Sequence, residues 1–146
     1  METIKNFEGK SAIEKIQALL VNTSTGMLIS SLQFKNPSVC PMTVKTVDEQ
    51  GNIWFLTHKN SEHYNNIEEN NRVLLTFSSE VENEYLSITG EAFHTDDAKV
   101  IDVLWDEADG QWYKNGREDK NVAVLQVRVE DAYYWDSYEQ KSKSIA

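Results

Sequence analysis

The sequence predicts a mainly β protein, a small β-barrel or antiparallel sheet of about six or seven strands with two or three peripheral helices. Three observations carry this. Short runs rich in β-branched and aromatic residues recur between turn signals from Met27 to Trp135. Helical patterns are inserted singly among the strands, which disfavours a doubly wound parallel sheet. The chain also contains neither a Gly-rich dinucleotide fingerprint nor a Walker loop.

The elements follow in order. Ser11 and Glu14 have capping-box spacing, and Ile13, Ile16, Leu19 and Leu20 recur at helical spacing, predicting an amphipathic helix from Ser11 to about Asn22. Met27 to Phe34 reads as a strand, with Met27, Ile29 and Ser31 on one face and Leu28, Ser30 and Leu32 on the other. After the turn Asn36-Pro37-Ser38, Val39 to Val47 reads as one strand, with Met42 and Val44 on one side and Thr43, Lys45 and Val47 on the other. Pro41 cannot donate to a ladder, so it belongs near the strand start, at an edge or at a bulge. Asn52 to Thr57, Arg72 to Ser78, Tyr85 to Phe93, Asn121 to Val129 and Ala132 to Trp135 complete the strands. Gly90 inside its strand signals a bulge or a close backbone approach. A short helix is expected over Glu62–Glu69, and another capped by Thr95 with Val100, Ile101, Leu104 and Trp105 on its apolar side. Asp106 to Asp119 reads as loop, and the polar tail from Ser137 is expected to fray.

Length and charge bound the function. A chain of 146 residues fits one domain with a real core, here about residues 11–137. A net charge of −10 repels phosphate backbones and anionic lipid, which excludes a nonspecific nucleic-acid or membrane-surface binder. The single cysteine, Cys40, excludes an internal disulfide framework. Charged residues at Glu2, Lys5, Glu8 and Lys10 interrupt any apolar leader, so a cytoplasmic location is expected. The three histidines, His58, His63 and His94, lack metal-ligand spacing, and no metal is expected.

The stretch Gly51–Glu69 carries the most chemistry. The apolar run Ile53-Trp54-Phe55-Leu56 passes through the polar turn Thr57-His58-Lys59-Asn60-Ser61 into a helix capped by Ser61. A strand, a polar turn and a helix start present free N–H groups and a positive dipole end, which suit a phosphate. Thr57 and Ser61 add hydroxyls, and His63 adds a proton-dependent charge.

The chain from about Ser11 to Ser137 resembles the general stress protein branch of the pyridoxamine 5′-phosphate oxidase-like FMN-binding split barrels. The resemblance rests on ordered segments: Cys40-Pro41-Met42-Thr43, Gly51-Asn52-Ile53-Trp54-Phe55-Leu56-Thr57 with Ser61-Glu62-His63, Arg72-Val73, Ser87-Ile88-Thr89-Gly90, Leu104-Trp105, Trp112-Tyr113 with Gly116 and Asp119, and Tyr133-Tyr134-Trp135-Asp136. It implies a Greek-key-like split barrel, a homodimer, and FMN near the subunit interface. By position, Met42 and Thr43 would lie along the flavin, and Leu56 and Thr57 would contact it. Ser61 and His63 would face its phosphate, Lys45 matches a lysine of the oxidase motif, and Trp135 matches a tryptophan that approaches the cofactor.

Two departures stand out. Cys40 replaces the family arginine before Pro-Met, and His63 replaces the family lysine of Ser-x-Lys. Together they remove two cationic phosphate contacts worth about 1–3 kcal/mol each. With His63 as the remaining titratable contact, FMN would bind better near pH 6 than near pH 8. After Trp135 the chain lacks the Arg-x-His segment with which the true oxidase grips its substrate, so vitamin B6 oxidation is not expected. Three functional readings follow: an FMN-binding stress protein with low oxidoreductase activity, a flavin-free scaffold dimer, and a binder of a deazaflavin or another planar anion.

Overall fold

The two edges of the sheet are consecutive in the chain, and this shapes the molecule. The computed structural model describes residues 9–136 and the backbone of 141–144. Its elements are α1 (Lys10–Asn22), β1 (Thr25–Ser30), β2 (Ser38–Thr43), β3 (Thr46–Val47), β4 (Ile53–His58), α2 (Glu62–Glu69), β5 (Arg72–Ser79), β6 (Glu84–Thr95), α3 (Ala98–Leu104), two 3₁₀ turns (Glu107–Trp112 and Gly116–Glu118), β7 (Val122–Asp136) and β8 (Lys141–Ser144). The strands pair in the order β2-β1-β5-β6-β7-β4-β3, and β8 adds to β7. Every pairing is antiparallel.

β2 and β3 are the two edges of that order, yet only Val44 and Lys45 separate them. Laid flat, a sheet of this order would hold its edges roughly 29 Å apart at about 4.8 Å per strand. A two-residue link cannot reach that far, so the sheet curls into a split barrel. The link is held on both sides. Val44 N–H donates to the Ser24 carbonyl and Lys45 N–H to the Trp54 carbonyl, each at 2.7 Å.

The expected single strand Val39–Val47 is therefore two. Met42 is buried, and Val44 packs on the core as its alternation requires. The two residues out of the ladder shift the phase, so Val47 also turns inward. Pro41 lies on edge strand β2, where its missing N–H costs no ladder bond. β1 stops at Ser30 because Ser31 takes a left-handed φ of 58°.

β7 corrects the expectation in the other direction. Asn121–Val129 and Ala132–Trp135 are one continuous strand of 15 residues, because β6 pairs along its length. Its register shifts between Thr89 and Gly90, which locates the bulge. A Cβ at Gly90 would collide with the Arg128 carbonyl, so close approach explains the glycine. The sequence also missed β8, whose pairing partner lies in β7. Residues 137–140 and 145–146 of the tail lie outside the described residues.

Helix boundaries agree, but two caps differ. α1 begins after Gly9 without a side-chain capping bond, so the Ser11–Glu14 box does not form. α3 is capped by Asp97, whose carboxylate accepts from Lys99 N–H, while Thr95 Oγ1 accepts one step earlier from Asp97 N–H. α2 is capped by Ser61 as expected.

Apolar side chains fill both sides of β4. Ile53 and Phe55 join Leu28, Leu75, Ile88 and Leu125 in the main core, which α1 covers through Ile16, Leu19 and Leu20. Trp54 and Leu56 pack in a second cluster with Ile101, Tyr113, Val122 and Val124. This double burial explains why Ile53–Leu56 reads as a continuous apolar run. Among the described residues no helix is long and apolar enough to cross a membrane.

Candidate cofactor-binding corner

β4 delivers Thr57 to a corner that β2 and the start of α2 also reach. Cys40 comes from β2, Thr57 from the end of β4, Ser61 from the cap of α2 and His63 from its first turn. The His63 ring is the hub. Its Nδ1 lies 3.3 Å from Cys40 Sγ, and its Nε2 lies 2.5 Å from Thr57 Oγ1 and 3.3 Å from Ser61 Oγ.

The hydrogen-bond directions fix the protonation pattern. Ser61 Oγ donates its only proton to the His58 carbonyl at 2.6 Å and accepts from Tyr64 N–H. Toward His63 it can only accept, so Nε2 carries the ring proton. Nδ1 is then the acceptor for the Cys40 thiol proton. A neutral imidazole and a neutral thiol satisfy this arrangement. Burial, with help from His58, holds His63 below its ordinary value. Burial and the Glu62 charge push the Cys40 thiol up.

Outside this hub, Ser38 Oγ donates to Glu62 Oε1 at 2.8 Å, so the first residue of α2 places a carboxylate beside the corner. Tyr113 supports the corner from behind: its buried hydroxyl donates to the Thr57 carbonyl at 2.9 Å, and its ring stacks on His58 at 4.2 Å. His58 Nδ1 lies 2.9 Å from Asn121 Nδ2, and Lys59 N–H donates to the Asn121 carbonyl.

The remaining residues singled out by sequence lie elsewhere. Lys45 Nζ donates to Asp106 Oδ2 and Asp109 Oδ2, both at 2.7 Å. The Met42 side chain is in the main core, and the Leu56 side chain is in the second cluster. Thr43 Oγ1 is paired with Thr25 Oγ1 at 2.9 Å. Trp135 is 39% exposed and sits opposite Tyr85, at the end of β7 far from Val122, which pairs with His58. The structure thus brings Thr57, Ser61, His63 and Cys40 together, while the Lys45 and Thr43 side chains are engaged with other partners and Trp135 lies at the far end of β7. Sequence reasoning missed Glu62, Tyr113, Asp106 and Asp109 as participants. The Asp106–Asp109 spacing marks a capping box, which forms, but nothing local points from it to Lys45.

The model of a family described as "pyridoxamine 5′-phosphate oxidase like" matches residues 11–146. The chain belongs to that family. Solved structures agree on the barrel of the pyridoxamine 5′-phosphate oxidase-like proteins. A Clostridium acetobutylicum protein related to general stress protein 26 of Bacillus subtilis superposes with TM-score 0.78 at 17% identity, over 94% of this chain and 95% of that one. The general stress FMN/FAD binding protein of Xanthomonas citri gives TM-score 0.74 at 29% identity, over 87% and 89%. A heme binding protein of Mycobacterium smegmatis shares the fold, with TM-score 0.70 at 17% identity, over 92% of this chain and 57% of that one. No curated protein sequence matches the chain significantly.

Whether the corner suits a phosphorylated flavin can be judged from its donors. The Cys40, His63 and Ser61 protons are each directed at a neighbour within the protein. Lys45 is matched by two carboxylates, and Arg72, another possible cation, is paired with Glu130 at 3.1 Å. The one formal charge among Cys40, Thr57, Ser61, Glu62 and His63 is negative. None of these side chains supplies a cation, so the phosphate end of FMN lacks a counter-charge in this set.

Proposed function

We propose that this chain is a flavin-binding protein of the general stress type, acting as a homodimer and as a low-activity oxidoreductase. The carrying observation is the family match over residues 11–146, joined to the 29% identity with a neighbour described as FMN/FAD binding. FMN is the form that the family resemblance supplies. A bound flavin would bring the redox chemistry; the chain supplies its position and electrostatics. Thr57, Ser61 and His63 form the polar end of the proposed site, with the Met42–Lys45 and Leu56 backbone beside it and Trp135 reaching it from a second subunit.

The sheet's outer face supports a dimer. Ile29 lies between Val39 and Leu74 in register, and Tyr85 lies opposite Trp135. Val39, Met27, Tyr85, Tyr133 and Trp135 are all exposed on this face. An apolar face with aromatic residues suits a homodimer interface.

The test is the visible spectrum and the mass of any ligand released from purified protein, followed by reconstitution of apoprotein with flavins. A flavin spectrum, or saturable uptake on reconstitution, supports the reading. A colourless protein that takes up no flavin refutes it and leaves the flavin-free scaffold dimer, which the internally satisfied corner favours.

A further inference from the structure

We propose that this corner selects a flavin whose ribityl chain ends in a neutral hydroxyl, the riboflavin class, over phosphorylated FMN and FAD. The inference rests on the flavin reading above and specifies which flavin the site takes.

The argument is one of charge and donor supply. A phosphate monoester carries about −1.5 to −2 at pH 7 and needs cations or several N–H and O–H donors aimed at it. Of the cations nearest the corner in sequence, Lys45 is held by Asp106 and Asp109, Lys59 by Asp96 and Arg72 by Glu130, while Lys35 is exposed in the connection between β1 and β2. The arginine position of the family motif is a thiol, and its proton faces His63 Nδ1. The lysine position is an imidazole whose ring proton points at Thr57 and Ser61. The Ser61 cap proton is given to the His58 carbonyl. Glu62, held by Ser38, adds a like charge at the helix end that would otherwise favour an anion.

Each substitution changes an anion contact into a neutral one. Cys40 Sγ and Thr57 Oγ1 keep acceptor capacity beyond their bonds to His63, so a polyol hydroxyl, unlike a phosphate dianion, can donate to them without a counter-charge. Burial lowers the His63 pKa, which disfavours the protonated ring that would replace the missing cation.

The experiment titrates apoprotein at pH 7.5 with riboflavin, FMN and FAD, following flavin fluorescence. The expected result is riboflavin bound at least about tenfold more tightly than FMN or FAD. Cys40→Arg restores one charged contact and should move the FMN-to-riboflavin affinity ratio toward FMN by about 10- to 100-fold. Cys40 is half-buried, so a second variant guards against misfolding. Glu62→Gln, at an exposed position, should move the same ratio toward FMN by about two- to fivefold. FMN bound as tightly as riboflavin by the wild-type protein would overturn the inference while leaving the flavin reading intact. Ratios unmoved in folded variants would also overturn it. Failure of all three flavins to bind would overturn both.

Discussion

Tyr113→Phe removes one oxygen from the back of the corner, and its consequence can be worked out from the structure. Tyr113 is 6% exposed, and its hydroxyl donates to the Thr57 carbonyl at 2.9 Å. A buried neutral hydrogen bond contributes about 1–2 kcal/mol net when its acceptor is left without the donor. The phenylalanine ring keeps its stack on His58, so packing losses should be small. The hydroxyl has a second signature. Burial first, then the charges of Asp109 and Asp119, push its pKa up to about 12. The fold therefore favours the protonated phenol. That stability is fully present below the ordinary value near 10 and is lost as pH rises from about 10 to 12. At about 1.4 kcal/mol per unit, the loss over that window is about 3 kcal/mol. Urea unfolding followed by tryptophan fluorescence should show the wild-type protein about 1–2 kcal/mol more stable than Tyr113→Phe at pH 7. The gap should shrink above pH 10 and reverse before pH 12, because only the wild type carries this phenol. Equal stability at pH 7, or a gap that does not change with pH, would refute the reasoning.

Other perturbations test other parts of the same account. In Lys45→Met both ion pairs are lost and the partly buried Asp109 carboxylate is left uncompensated, at a cost of about 1–2 kcal/mol; a lower urea midpoint and faster proteolysis within residues 106–120 would show it. Burial lowers the pKa of His63, so its contribution to stability is present above about pH 6.5 and declines as pH falls below that value. His63→Asn should flatten this acid limb in a series of unfolding curves between pH 7 and 5. Gly90→Ala drives a methyl group into the Arg128 carbonyl at the bulge and should cost about 2–3 kcal/mol, measured as a fall in the urea midpoint.

Part of the corner was legible in local sequence. The Ser61 cap, the Ile53–Leu56 strand before it and the Glu62–Glu69 helix after it are consequences of propensity and capping within a few residues, and the structure reproduces them. The bulge at Gly90 and the edge position of Pro41 follow from what those two residues can and cannot do with their backbones. What failed was long-range. The partners of Lys45 lie 61 and 64 residues away, and Cys40 meets His63 across 23. Periodicity says nothing of such meetings, because it reports which face a residue occupies and not what occupies the space opposite.

The strand pattern, the isolated helices and the loss of two cationic positions were written into the order of residues. Local backbone preference and side-chain chemistry act over a few positions and need no folded context. Closure of the barrel through Val44 and Lys45 decided the rest. It split one apparent strand and captured Lys45 at Asp106 and Asp109. The meeting of β2, β4 and α2 buried His63 among Cys40, Thr57 and Ser61. Sequence exposes His63 as a possible cation; burial lowers its pKa, because desolvation penalises the charged form. The pKa of His63, and with it the charge this corner presents, is a property of the packed structure.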